Sequence, residues 1–196
     1  MKKASIILFL GTLIAFQACN KDQVISEPTR VDDGVDLEVP PHFPPPFSFD
    51  DNPLTISGIE LGRRLFYDPR LSADSTQACA NCHLQDFNFS DFNQFSTGID
   101  GIQGDKNAMA IVNLAWQSTF FWDGRSIAME EQALEPIVNP IEMHDTWENV
   151  VKKLKADQMY QEQFTKAFGE KTPEFALATG EAQKFRHRYS TIDDFP

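Results

Sequence analysis

Three cysteines in 196 residues are too few for a disulfide framework, and no second C-x-x-C pair exists to complete a four-ligand zinc site. Basic residues are scarce too. Seventeen Lys and Arg face 29 Asp and Glu, and the resulting net charge of −12 repels nucleic-acid phosphates. That charge suits the steering of a basic soluble partner, and equally serves solubility alone. No apolar run is long enough to span a bilayer comfortably. Strand-like alternation and internal repeats are missing, which leaves helices and loops as the material of the fold. The chain is long enough for one domain, and 41% hydrophobic residues, 17 of them Phe, are ample for its core.

The N-terminus reads as an export signal. Met1-Lys2-Lys3 is a basic start, and Ala4 to Phe16 form a short apolar stretch. Phe16-Gln17-Ala18-Cys19 then sets a small residue before a cysteine, as in a bacterial lipobox. Residues 1–18 are therefore predicted to be a lipoprotein-type signal peptide, with Cys19 the lipidated residue. Phe16 and Gln17 are not the commonest residues there, so ordinary signal cleavage is the alternative. Export places the chain in the cell envelope, periplasmic and membrane-anchored through its lipid.

The remaining cysteines stand in Cys79-Ala80-Asn81-Cys82-His83. This C-x-x-C-H pentapeptide has the pattern of a covalent c-type haem site. Each thiol can add across a haem vinyl group, and the adjacent imidazole can ligate the iron from the proximal side. A thiol–disulfide site would give His83 no role, and a zinc site lacks its other ligands. With Cys19 taking lipid and Cys79 and Cys82 taking haem, no thiol is left to pair.

Residues 19–51 read as a tether. The run Pro40-Pro41-His42-Phe43-Pro44-Pro45-Pro46 is too proline-rich for helix or central strand. It either holds a domain away from a membrane or is pinned across that domain by Phe43, Phe47 and Phe49. Residues 57–60, Ser-Gly-Ile-Glu, form a capping box for a helix carrying Leu61, Leu65 and Phe66, stopped by Asp68-Pro69. Residues 88–107 are a loop by composition, which Phe87, Phe89, Phe92 and Phe95 suggest is packed. A short helix is predicted over 108–115. Another is predicted over 127–135, capped by Ser126 and ended by Pro136. Asp145-Thr146-Trp147-Glu148 reads as a capping box for a helix with Trp147, Val150, Val151 and Leu154 on one face. Tyr160, Phe164 and Phe168 make a second stripe closed by Gly169, and Thr172-Pro173 begins a last helix. The predicted fold class is all-α: a cytochrome c-like helical haem domain over 52–170 with long loops, preceded by the proline-rich tether.

Four segments carry a family resemblance: Leu61-Gly62-Arg63-Arg64-Leu65-Phe66-Tyr67-Asp68, the C-x-x-C-H motif, Phe121-Trp122-Asp123-Gly124-Arg125, and Asn139-Pro140-Ile141-Glu142-Met143. In order and spacing they resemble the bacterial dihaem cytochrome c peroxidases, which include the MauG-type enzymes, and specifically their N-terminal, peroxide-handling haem domain. The resemblance implies one covalent haem c with His83 as proximal ligand. It implies Glu142 as the distal carboxylate that shuttles a proton, Gln132 as a distal-pocket amide, Trp122 as the tryptophan between two haems, and Asn107 as a calcium ligand.

The chain departs from the family in three ways. It has no second C-x-x-C-H, so residues 171–196 are expected to be the remnant of a missing second haem domain. Between Phe95 and Asn107 there is no histidine to cap the iron, so the sixth site is either open or filled by another group. His42 and His144 are iron ligands by type, though lone histidines are more often structural or exposed. The implied function is reduction of hydrogen peroxide with electrons from a protein donor such as a small cytochrome c or a cupredoxin, with homodimerisation common in the family. The alternatives are a monohaem electron-transfer module or inactive remnant, and MauG-like oxidation of partner-protein side chains.

Overall fold

A computed structural model describes residues 34–47 and 54–169. The predicted signal peptide, Cys19, Phe49, the helix at Thr172-Pro173 and the 171–196 remnant lie outside the described residues. Helices α1 (Ile56–Phe66), α2 (Met129–Val138), α3 (Trp147–Lys155) and α4 (Gln158–Phe168) are joined by long loops with short 3-10 turns. Among the described residues there is no sheet, only four isolated bridges, and no helix is long and apolar enough to cross a membrane.

Thr55, not Ser57, caps α1. Its fully buried hydroxyl accepts from the Gly58 N–H at 3.2 Å. Ser57 lies inside the helix and donates instead to the Lys166 carbonyl of α4 at 3.3 Å. The apolar face of α1, Leu61, Leu65 and Phe66, packs on α4 through Tyr160 and Phe164, with Val150 and Leu154 of α3 closing the core. Thr146 alone is the cap of α3, accepting from the Asn149 N–H. Asp145 lies one residue outside, pairing with Lys153 at 2.7 Å. Gly169, at φ 76°, ends α4 as expected.

A polar knot ties the end of α1 to the start of α4. Asp68 accepts from the Arg70 guanidinium at 2.7 Å and from the Tyr160 hydroxyl at 2.6 Å, and Arg70 also reaches Asp157 at 2.9 Å. Burial opposes charge on Asp68, but these donors prevail and hold its carboxyl below the usual range.

Two predicted helices are corrected. Residues 108–113 run without helix, and only Leu114–Trp116 form a 3-10 turn. Residue 113 has φ 55° and the Ile111 N–H is drawn to the Phe89 carbonyl, so tertiary contacts override the local propensity. The helix predicted over 127–135 starts at Met129 and runs through Pro136 to Val138. Ser126 is not its cap: its hydroxyl donates to the Ala128 carbonyl while its backbone bridges to Phe120.

The described part of the tether lies on the domain. Phe43 meets Trp116 edge-to-face with ring centroids 5.0 Å apart. The Trp116 indole donates to the Pro44 carbonyl, and the Phe47 N–H donates to the Ala115 carbonyl.

Candidate haem site

Residues 79–83 form one tight turn. The Cys82 and His83 N–H groups both donate to the Cys79 carbonyl, at 3.1 and 2.9 Å, and Asn81 Oδ1 accepts from the Ala78 N–H at 2.7 Å. Three- and four-residue spacing thereby turns both thiols and the imidazole toward one cleft.

His83 Nδ1 lies 2.9 Å from the Phe89 carbonyl oxygen and 3.0 Å from that of Met109. Both partners can only accept, so Nδ1 carries the proton and Nε2 keeps its lone pair for a metal. Burial holds the imidazole pKa below its ordinary value and favours this neutral form. Phe89 presents its carbonyl from a left-handed φ of 54°, and the Leu84–Ser90 bridge closes the loop around it. Sequence reasoning missed Phe89 and Met109, because a backbone carbonyl leaves no mark in residue type.

The cleft has about 730 Å³ of atom-free space, part of it open to solvent. Phe66, Ile111, Leu114, Met129 and Ile137 supply its apolar walls. Cys79, Cys82, His83, Gln132 and Glu142 all line it. A second space, about 870 Å³ with part of it open to solvent, shares Cys82, His83, Gln132 and Glu142 and adds Trp122 and Asn107. Cys82, His83, Gln132 and Glu142 thus line both spaces, Cys79 only the first, and Trp122 and Asn107 only the second. His42 and His144 are exposed and line neither space.

Burial pushes the Cys79 thiol up to about 12 and the Cys82 thiol up to about 11. A redox C-x-x-C needs the opposite shift, toward thiolate. Among the described residues no cluster of three His, Cys, Asp or Glu is placed to hold a bare metal ion. An apolar cleft, two neutral thiols and an imidazole with a free Nε2 form a donor set that fits a covalent haem.

Glu142 is half-buried. Burial raises its pKa, against a 2.7 Å hydrogen bond from Asn139 Nδ2 to Oε1 that lowers it. Trp122 is 64% exposed, and its indole N–H donates to the Asn107 carbonyl at 2.8 Å. The turn carrying it is braced by Arg125, which stacks 3.4 Å from the Phe121 ring centre and reaches Asp123 and Glu135. The Asn107 side chain binds its own loop: Oδ1 accepts from Ser90, and Nδ2 donates to the Asp91 and Asn93 carbonyls.

Comparison with known proteins identifies relatives of this chain. The methylamine utilization protein MauG of Methylorubrum extorquens is 39% identical over 122 residues, which cover 62% of this chain and 35% of that protein. The cytochrome c peroxidase Ccp of Escherichia coli K12 is 38% identical over 117 residues, covering 59% and 25%. The chain therefore spans well under half the length of these relatives. The crystal structure of a MauG-like protein associated with microbial copper homeostasis superposes with a TM-score of 0.69 at 33% identity, over 80% of this chain and 46% of that one. The model of the di-haem cytochrome c peroxidase family matches residues 57–195, and the chain belongs to that family.

Proposed function

We propose that this chain reduces hydrogen peroxide to water at one covalent haem c, with electrons from a protein donor such as a small cytochrome c or a cupredoxin. The reading rests on Glu142 lining the cleft that Cys79, Cys82 and His83 also line. One peroxide, two electrons and two protons yield two waters.

Cys79 and Cys82 would hold the haem edge, and His83 would offer Nε2 to the iron. When bound, the haem supplies the redox centre at which peroxide and electrons meet. Glu142 moves the proton. Its Oε1 is committed to Asn139, which leaves Oε2 to take a proton from one peroxide oxygen and return it to the other. A raised pKa brings its two protonation states closer in energy near neutral pH, as a shuttle requires. Gln132 donates and accepts without titrating, so it orients the substrate. Trp122 offers a polarisable ring between an outside donor and the cleft. The family resemblance offers Asn107 as a calcium ligand, but its side-chain oxygen already accepts from Ser90 and no acidic cluster among the described residues joins it. The setting is the periplasm, with the chain anchored through lipid on Cys19.

A second reading, oxidation of a partner protein's side chains, draws on the exposure of Trp122 beside the cleft. Peroxide reduction is separated from plain electron carriage by spin state, with high-spin ferric iron expected for the former. In stopped-flow mixing with peroxide, Glu142→Gln should slow the haem-loaded chain roughly 10²- to 10⁴-fold. An unchanged rate would remove Glu142 from the reaction.

A further inference from the structure

Glu142 is gripped from two sides. On one side stands Asn139, the residue that ends α2. Its Oδ1 accepts from the Ile141 N–H at 3.1 Å and its carbonyl accepts from the Glu142 N–H at 3.0 Å, which folds the chain into a tight turn. The same side chain spends an amide hydrogen on Glu142 Oε1, 2.7 Å away.

On the other side runs the segment 97–99. A Cβ built on Gly98 would fall 2.0 Å from the Ile141 carbonyl oxygen and 2.8 Å from Glu142 Cα. No side chain fits there, so the requirement for glycine is one of close backbone approach. The next residue, Ile99, is 3% exposed, and its N–H donates to the Glu142 carbonyl at 2.7 Å. The segment is tied to the cysteine turn as well, because Gln77 Nε2 donates to the Thr97 carbonyl at 2.9 Å.

We propose that Asn139 and the Gly98–Ile99 strap are the positioning elements of Glu142, Asn139 aiming and tuning the carboxylate while the strap fixes the backbone that carries it. The proposal deepens the shuttle reading and rests on it. It accounts for the glycine and for the asparagine of the Asn139-Pro140-Ile141-Glu142-Met143 segment, neither of which touches peroxide in that reading. Other charges act on the same carboxyl: Arg125 favours its ionised form, Glu135 opposes it, and the Cys79 and Cys82 thiols feel it in return.

Three variants of the haem-loaded chain test this. Asn139→Asp keeps an oxygen for the Ile141 N–H but replaces the donor to Glu142 with a like charge. Gly98→Ala introduces the clash. Gly104→Ala, whose Cβ would meet only the Ser96 carbonyl oxygen at 3.5 Å, is the control in the same loop. The readout is the infrared carboxyl band of Glu142, identified as the band lost in Glu142→Gln and followed against pH, together with the peroxide rate. Asn139→Asp should move Glu142 protonation to higher pH. Gly98→Ala should shift the band and slow the peroxide reaction about tenfold, part of the roughly 10²- to 10⁴-fold a positioned acid–base group supplies. Gly104→Ala should leave both unchanged. A Glu142 band and titration unmoved in Asn139→Asp overturns the proposal, and that variant decides alone if Gly98→Ala fails to fold. Full peroxide activity in Glu142→Gln would instead overturn the shuttle reading, while the infrared titration still decides whether Asn139 tunes the carboxyl.

Discussion

The imidazole of His83 donates from Nδ1 to the carbonyl oxygen of Phe89 at 2.9 Å, and Phe89 adopts a left-handed φ of 54° to present it. That conformation costs a bulky residue about 1–3 kcal/mol. Here it sets the tautomer of the candidate iron ligand and raises the ligand's basicity.

Two substitutions at residue 89 should therefore separate. Phe89→Gly keeps the left-handed backbone and loses only the ring packed on Phe66. It should lower stability but leave the haem reduction potential near the parent's. Phe89→Pro forbids positive φ and removes the N–H that donates to the Leu84 carbonyl, so the carbonyl turns away from His83. Spectroelectrochemistry should show a more positive potential in the proline variant alone, since a less basic imidazole stabilises ferric iron less well.

The Asp68 knot makes acid stability predictable. The folded protein holds the Asp68 pKa below the unfolded value of about 3.9. Its contribution is therefore complete above that pH and drains away as pH falls through the folded value. Tyr160→Phe, which removes a buried donor to this carboxylate, should cost roughly 1.5–3 kcal/mol at neutral pH. Denaturant melts of the two proteins should converge as the solution is acidified below about pH 4.

Some elements were legible because their contacts are local. The cysteine–histidine turn follows from spacing alone, and the Val150, Val151 and Leu154 face of α3 follows from periodicity. Other features depend on distant partners. Thr55 and Ser57 are both competent caps, and the choice between them is made by α4, whose Lys166 carbonyl takes the Ser57 hydroxyl. Residues 108–113 have the composition of a helix, yet His83 needs the Met109 carbonyl and Phe89 accepts from the Ile111 N–H. Pro136 ends helices in general, but here α2 continues for two residues beyond it and its ring lines the cleft. In the candidate site the titrating side chains were readable, while the carbonyls and the glycine that aim them were not.

Charge and Trp122 bear on electron delivery. With a net charge of −12, turnover with a basic donor protein should fall as ionic strength rises, because screening removes the steering. Trp122→Phe, which deletes the indole N–H held by Asn107, should slow turnover with that donor. The pre-steady-state reaction with peroxide should stay unchanged. A loss in the peroxide step instead would give Trp122 a part in the cleft itself.

Cys79 and Cys82 are proposed to hold one haem covalently, with His83 offering Nε2 to the iron. The direct measurement is the intact mass of the chain exported from cells competent in cytochrome maturation, read beside its pyridine haemochrome spectrum. A mass increase of one haem that survives denaturation and vanishes when both cysteines are replaced by alanine is the expected result. A chain that carries no haem after denaturation, or keeps it without those cysteines, would refute covalent attachment at Cys79 and Cys82.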